Sequence, residues 1–422
     1  RVSIAHDASL TRQRWILYRY FTTRTARQGL DRMQAGIFTY AWDLEATGYN
    51  QVAGELADAG FTAINLATAY HAGKFLMPRN PHRRVWFAED GALYFQPDLS
   101  KYGRIQPRVS SFVSADGDPA SRVQRAAGTH GLDYVAWLVC LHNSWLGERH
   151  PDATMHTAFG DPLIHSLCPA HPDVREYLVA MVHDLVSRYD VAAIELESPG
   201  YMGFLHGYHH EIMGVELDPV QQRLLGISFN PAEIAGAAEH GIDAEGLRAR
   251  IASLLDACWN RGVPVMDAQG PVVDAAAVLD DPEMHAYLAW QHEQVISLMG
   301  LIRDAIAHSS PATRMRHFAS MDASAPLDDG TTALLETGDA ILAGYASSDD
   351  DARASAAAVK ALGKNHETWG MIRALAPDMT DPASIGPRVE AWRSAGVEGI
   401  DIYNYGLMTK PMLDAVVTAI QR

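Results

Sequence analysis

Two glutamates separated by one leucine, Glu195-Leu196-Glu197, end an apolar run that begins at Val191. Side chains alternate across a strand, so both acids share one face while Ile194 and Leu196 take the other. Two carboxylates held close together cannot both ionise easily. One pKa rises, so one group can donate a proton while its neighbour stays charged. Cleavage of a glycosidic bond needs that division of labour. The packing alternative for the same acids is a buried ion pair with an arginine, such as Arg316 or Arg373.

Other polar and aromatic residues collect at the ends of apolar runs. They are Tyr70 and His71; His142, Asn143 and Trp145; Arg373; and Asp401, Tyr403 and Asn404, with His206 a few residues past Glu197. Sugars need rings to stack on and many donors and acceptors for their hydroxyls, and this set supplies both. In the last run, alternation turns Asp401 and Tyr403 one way and Ile400 and Ile402 the other. Glu197 is the expected proton donor, with Asp401 or Glu195 as its partner and Asp322, Asp349 and Asp378 as further candidates. Asp349-Asp350-Asp351 also reads as a helix start, where acids favour the dipole. No metal is expected: the histidine-rich stretch from His206 to Glu211 matches no strong ligand spacing.

The elements that must carry these residues alternate between two kinds. Eight β-rich runs are expected at 36–42, 61–67, 134–142, 191–197, 314–320, 340–346, 371–375 and 399–404. Helical patterns follow at 49–59, 173–189, 350–362, 384–395 and 410–420. Eight strand–helix units predict an α/β fold, a (β/α)8 barrel, whose site lies at the strand C-termini. The open doubly wound alternative lacks its glycine-rich phosphate loop, because Trp42-Asp43-Leu44-Glu45 follows the first run. Long insertions are expected at 70–132 and 198–311, after the second and fourth strands, the latter with helices near 243–257 and 282–307.

The fourth run resembles the Asp-Gly-x-Asp-x-Asp-x-Glu strand of family 18 glycoside hydrolases. Asp190 matches its first acid, Glu195 its third and Glu197 its catalytic glutamate, while Val191 and Ala193 depart from it. More broadly, Phe159-Gly160-Asp161, Leu167-Cys168-Pro169, Pro172-Asp173-Val174-Arg175-Glu176-Tyr177 and the Tyr189–Glu197 stretch resemble uncharacterised family-10-like glycosyl hydrolase barrels. Together these motifs cover about a tenth of the chain. The resemblance implies a carbohydrate-active barrel without specifying a sugar. The large clan of retaining barrels places a glutamate on strand seven, where this chain has Met371-Ile372-Arg373-Ala374-Leu375 and none.

Composition narrows the partners. The 422 residues are 48% hydrophobic, enough for a large core, and no apolar run is long enough to span a bilayer. A formal charge of −17 argues against nucleic acid and anionic membranes and is compatible with a neutral polyhydroxy ligand, and a carbohydrate is the expected partner. A homo-oligomer is compatible with this reading. Three scattered cysteines argue against a disulfide framework, so reduced thiols and a cytoplasmic setting are expected. Residues 1–32 hold seven arginines against Asp7 and Asp31. They are expected to form a flexible basic extension, or a packed helix around 14–18, ahead of a catalytic barrel at 33–422. The expected activity is hydrolysis of a glycosidic bond without a cofactor. The alternatives are a divalent-metal sugar isomerase or epimerase using Glu197, Asp322 and His317, and a noncatalytic sugar-binding barrel.

Overall fold

The computed structural model describes residues 33–422 apart from 207, 209, 268–269, 320–335 and 364. The basic segment 1–32 and Asp322 lie outside the described residues. Eight parallel strands form a closed (β/α)8 barrel. They are β1 (Gln34–Thr39), β2 (Ala63–Tyr70), β3 (Asp133–Val139), β4 (Ala193–Glu197), β5 (Arg314–Phe318), β6 (Ala340–Tyr345), β7 (Glu367–Arg373) and β8 (Gly399–Tyr403). Each strand pairs with the next, and β1 closes the ring against β8.

Around the ring, seven helices among the described residues cover the outward faces. These are α1 (Tyr49–Ala59), α2 (Pro119–His130), α3 (Pro172–Arg188), α4 (Pro282–Ser309), α5 (Asp349–Leu362), α6 (Ile385–Ser394) and α7 (Lys410–Ile420). Local chemistry sets their ends. In α2, Asp118 accepts from Ser121 N at the first turn, and Gly131 (φ 70°) stops the helix in a left-handed conformation. In α3, His171 caps Asp173 N, Pro172 occupies the first turn, and Val174, Leu178, Met181 and Leu185 form the buried stripe.

Alternation divides each strand between two cores. Ile37, Ile64, Leu66, Leu138, Ile194, Leu196, Ile372, Ile400 and Ile402 point outward into the helix layer. Phe38, Trp137, Leu342, Trp369, Met371 and Tyr403 fill the lumen, with Ala63, Val135 and Ala193 as small residues at its base.

The expected architecture holds, with corrections at the edges. The first strand ends at Thr39 rather than residue 42, because Tyr40 starts a short helix, Ala41–Thr47, that takes up Trp42. The seventh begins at Glu367, four residues before the apolar run suggested. The stretch after β2 contains α2 and an antiparallel hairpin, Gly73–Leu76 with Val85–Ala88. A third excursion, not anticipated, follows β3, with a helix at Ser144–Arg149 and a hairpin of Thr154–His156 with Pro162–Leu167. The stretch after β4 builds its own apolar cluster from Leu224, Phe229, Leu247, Ile251 and Leu255. The first half of α4 (Tyr287, Trp290) joins that cluster and its second half (Val295, Leu298, Ile302) joins the barrel, so one helix fastens the insertion to the frame.

Gly370 marks where β7 and α6 meet. A Cβ there would come within 2.3 Å of the buried Trp392 ring. Gly370→Ala is therefore expected to cost about 1–3 kcal/mol by overpacking, read as a lower urea midpoint with an unchanged slope.

Candidate active site

Above the lumen, at the strand C-termini, lies a cavity of about 460 Å³. Its lining includes Glu197, Tyr70, Trp137, Tyr201, Met202, His206, Phe318, Tyr345, Arg373 and Tyr403. Glu197 ends β4 and reaches the cavity with its carboxylate otherwise enclosed by protein. Trp137 Nε1, from the neighbouring strand, donates to Glu197 Oε2 at 2.6 Å. Burial raises the Glu197 pKa to about 7, with the nearby Glu195 charge pushing the same way and the indole bond pulling down. A carboxyl poised near neutrality can give up a proton at physiological pH. The next residue, Ser198, has φ of 50°. Such a conformation costs a non-glycine residue about 1–3 kcal/mol and persists only where surrounding contacts impose it. Here Cys140 N and Leu141 N donate to the Glu197 and Ser198 carbonyls, extending the β3–β4 pairing past the strand ends.

Glu195 and Asp401, the two expected partners of Glu197, are placed differently. Both are fully buried one pleat below the cavity floor and do not line it. Arg316 of β5 bridges them, at 3.1 Å from Glu195 Oε2 and in direct contact with Asp401 Oδ2. Asn65 Nδ2 donates to Asp401 Oδ1 at 2.9 Å, and the guanidinium lies 4.0 Å over the Trp369 ring. Gly36 leaves the space for Asp401, since a Cβ there would sit 2.0 Å from Oδ1. The Glu-x-Glu spacing therefore divides into two uses. Glu197 faces the cavity, and Glu195 takes the buried ion pair weighed for Arg316. One pleat of a strand, roughly 6–7 Å, makes the difference.

The remaining expected binding residues also separate. Tyr70, His206, Arg373 and Tyr403 line the cavity. His71 and His142 stand behind the wall in a ladder: Tyr70 stacks on His71 (4.3 Å, 24°) and His71 on His142 (4.1 Å, 26°). His142 Nδ1 lies 3.2 Å from His206 Nε2. Burial, with the neighbouring imidazoles adding to it, lowers His142 to about 2 and His206 to about 4, so the row is uncharged at neutral pH. Asn143, Trp145 and Asn404 are outside the cavity lining. Asn143 caps the Ser144–Arg149 helix through Leu146 N, and Arg149 lies over the Trp145 ring at 3.8 Å. Asn404 Oδ1 accepts from Gly406 N within a turn. His317, from the metal alternative, is fully buried on the opposite face of β5 from Arg316, with Nδ1 against Phe318 O. It cannot join Glu197 in one ligand set. Among the described residues, no group of three His, Cys, Asp or Glu stands close enough to hold a metal ion.

Several lining residues were not singled out from the sequence. Trp137 follows from alternation along β3, two residues before Val139, and was legible. Tyr40, which supports the lining without joining it, was legible too: its hydroxyl links Tyr70 (2.9 Å) and Tyr403 (2.5 Å) beneath the cavity. Tyr345 was not. Its strand register shifts between Leu342 and Tyr345, with Gly344 at φ 85°, and this bulge turns the ring inward against simple alternation. Tyr201 comes from the insertion after β4, where its hydroxyl donates to the buried Glu233 at 2.5 Å.

The three cysteines are free thiols, and no described helix is long and apolar enough to cross a membrane. No family model and no curated relative matches the chain. Solved structures do. The fold is similar to β-galactosidase from the psychrophilic Marinomonas ef1 (TM-score 0.58, 12% identity, covering 92% of this chain and 59% of that one). It is similar to the PgaB (BpsB) glycoside hydrolase domain from Bordetella bronchiseptica (TM-score 0.57, 13% identity, 92% and 99%). It is also similar to α-L-fucosidase isoenzyme 2 from Paenibacillus thiaminolyticus (TM-score 0.54, 13% identity, 92% and 49%). This chain thus spans a little over half of the β-galactosidase, about half of the fucosidase and nearly all of the PgaB domain. All three are glycoside hydrolases, and at these identities the likeness establishes the barrel.

The layer beneath the cavity is testable by itself. Replacing Arg316 with Met leaves Glu195 and Asp401 buried without their cation, which is expected to cost about 3–5 kcal/mol at pH 7. The orphaned acids then bind protons more readily folded than unfolded, so the loss is smallest at acidic pH and grows as pH rises. Urea unfolding at several pH values checks both the size and the sign.

Proposed function

We propose that this chain cleaves a glycosidic bond, with Glu197 donating the proton to the leaving oxygen. The observation that carries the reading is Glu197 itself: a half-buried carboxyl, pushed up to about 7, at the end of β4 and facing a barrel-mouth cavity. An acid still partly protonated near pH 7 can protonate a departing alkoxide, a step worth about 10²–10⁴-fold. The tyrosine and tryptophan rings around it suit sugar faces, and the neutral His206 suits hydroxyl groups. The structural neighbours' shared chemistry supports the reading without naming a sugar or a stereochemical course.

The second acid differs from the sequence expectation. Glu197 is the one carboxylate among the described cavity-lining residues, because Glu195 and Asp401 serve the Arg316 layer and β7 ends in Arg373. That observation keeps a second reading in play, a noncatalytic barrel that binds sugars through the same rings.

Glu197→Gln separates the two. On the hydrolase reading, turnover of glycosides with alkyl or sugar leaving groups, which need protonation, falls by about 10²–10⁴-fold while ligand binding persists. Silence of the wild-type chain across a broad glycoside panel, together with retained sugar binding, would establish the binder. The pH dependence gives a further check. The protonated form is the active one, so kcat/KM is expected to fall as pH rises through about 7. Trp137→Phe removes the bond that favours the ionised form and is expected to move that falling limb to higher pH. A limb that stays in place or moves lower would count against Glu197 as the titrating donor.

A further inference from the structure

Arg373 stands at the end of β7 and lines the same cavity as Glu197. It is held from behind. Its Nε donates to Asp378 Oδ2 at 2.5 Å, and its guanidinium lies 4.7 Å over the ring of Tyr345, itself part of the wall. Among the described residues, its two terminal nitrogens make no hydrogen bond, and the side chain is 38% accessible. No other arginine or lysine belongs to the described lining.

This arrangement has a chemical consequence. A guanidinium anchored through Nε and stacked on a ring has already lost most of its rotamer freedom, so little more is lost when a ligand arrives. Its free edge offers parallel N–H donors spaced for the two oxygens of a carboxylate. A neutral hydroxymethyl group would use one donor and leave the other to water, whereas a carboxylate engages both. The net charge of −17 opposes anionic ligands at long range, but that field is screened beyond about 8 Å at physiological salt. Asp378 balances the arginine's charge without occupying that edge. The short-range fork therefore decides.

We propose that the sugar bound beside Glu197 carries a carboxylate, as a uronic acid does, and that Arg373 receives it through two parallel hydrogen bonds. The inference rests on the glycosidase reading of this cavity and deepens it by naming a substrate class. Glu197, only partly ionised around pH 7, repels such a ligand less than an ordinary carboxylate would.

The test compares aryl glycosides that differ only at C6, a hydroxymethyl group in one and a carboxylate in the other, in both the gluco and galacto series. The wild-type chain is expected to favour the uronide by about 10-fold or more in kcat/KM, the range of a charge-assisted hydrogen bond. Arg373→Gln is expected to erase that preference by lowering the uronide value about 10–100-fold and the neutral value far less. Arg373→Lys, which keeps the charge and loses the fork, restores part of it. A wild-type preference for the neutral sugar, or equal losses on both sugars in Arg373→Gln, overturns the inference. Calorimetric titration of free glucuronate and galacturonate against glucose and galactose separates this inference from the hydrolase reading. Binding of the acids alone, lost in Arg373→Gln, upholds the arginine's role even where no glycoside is cleaved. Cleavage of neutral glycosides without uronate binding removes the inference and leaves the hydrolase standing. Binding of 6-O-sulfated sugars in place of uronates also overturns it.

Discussion

One guanidinium organises the interior of this barrel. Arg316 is buried in the lumen between Glu195 of β4 and Asp401 of β8, with Asn65 of β2 completing the polar layer and Trp369 of β7 beneath the cation. Five of the eight strands meet there. Charges removed from water are costly unless paired, and each member of this layer is intolerable without the others. Burial pushes Glu195 toward protonation and Arg316 toward losing its proton, and each opposes that shift in the other. The layer is better understood as a device that fixes relative strand positions than as a source of stability. Neither acid can move along its strand without losing the cation, and Gly36 has no side chain so that Asp401 can reach it.

That constraint also divides the labour between neighbouring glutamates. Because Glu195 is held by Arg316, it contributes charge to the cavity floor without entering the cavity. Glu197, one pleat higher, has an indole for a partner instead of a cation. An arginine at Trp137's place would hold Glu197 ionised and unfit to donate a proton. A tryptophan supplies orientation with only partial stabilisation of the charged form, so burial prevails and the pKa rises. The stack of Tyr70, His71 and His142 continues the same logic on the flank. Its rings are packed closely enough to stay neutral, so the wall gives shape and hydrogen bonds without adding charge.

The insertion after β4 shapes the mouth by an indirect route. Glu233 is fully buried, receives bonds from Ser228, Asn230 N and Gln291, and accepts from Tyr201. A cluster belonging to the insertion thus reaches back to hold a cavity-lining ring. Since α4 shares residues between that cluster and the barrel's own, the mouth and the frame are joined through one helix.

The sequence by itself determined what depends on near neighbours. Strand and helix alternation, and with it the eightfold barrel, follows from the period of apolar residues. The shared face of Glu195 and Glu197 and the inward aim of Asp401 and Tyr403 follow from the strand's two-residue repeat, which needs no knowledge of the partner strand. What the tertiary structure decided is how far up the barrel each side chain stands and which one meets it across the lumen. Asp401 and Glu195 lie below the cavity, paired with a cation, because Arg316, more than eighty residues from Asp401 and more than a hundred from Glu195, arrives at their height. Tyr345 faces the cavity because a bulge beside Gly344 reverses its parity, and the register shift after Ala67 in β2 precedes the inward Tyr70. Heights and bulges are set by pairing between strands distant in sequence, and a local pattern carries no record of either.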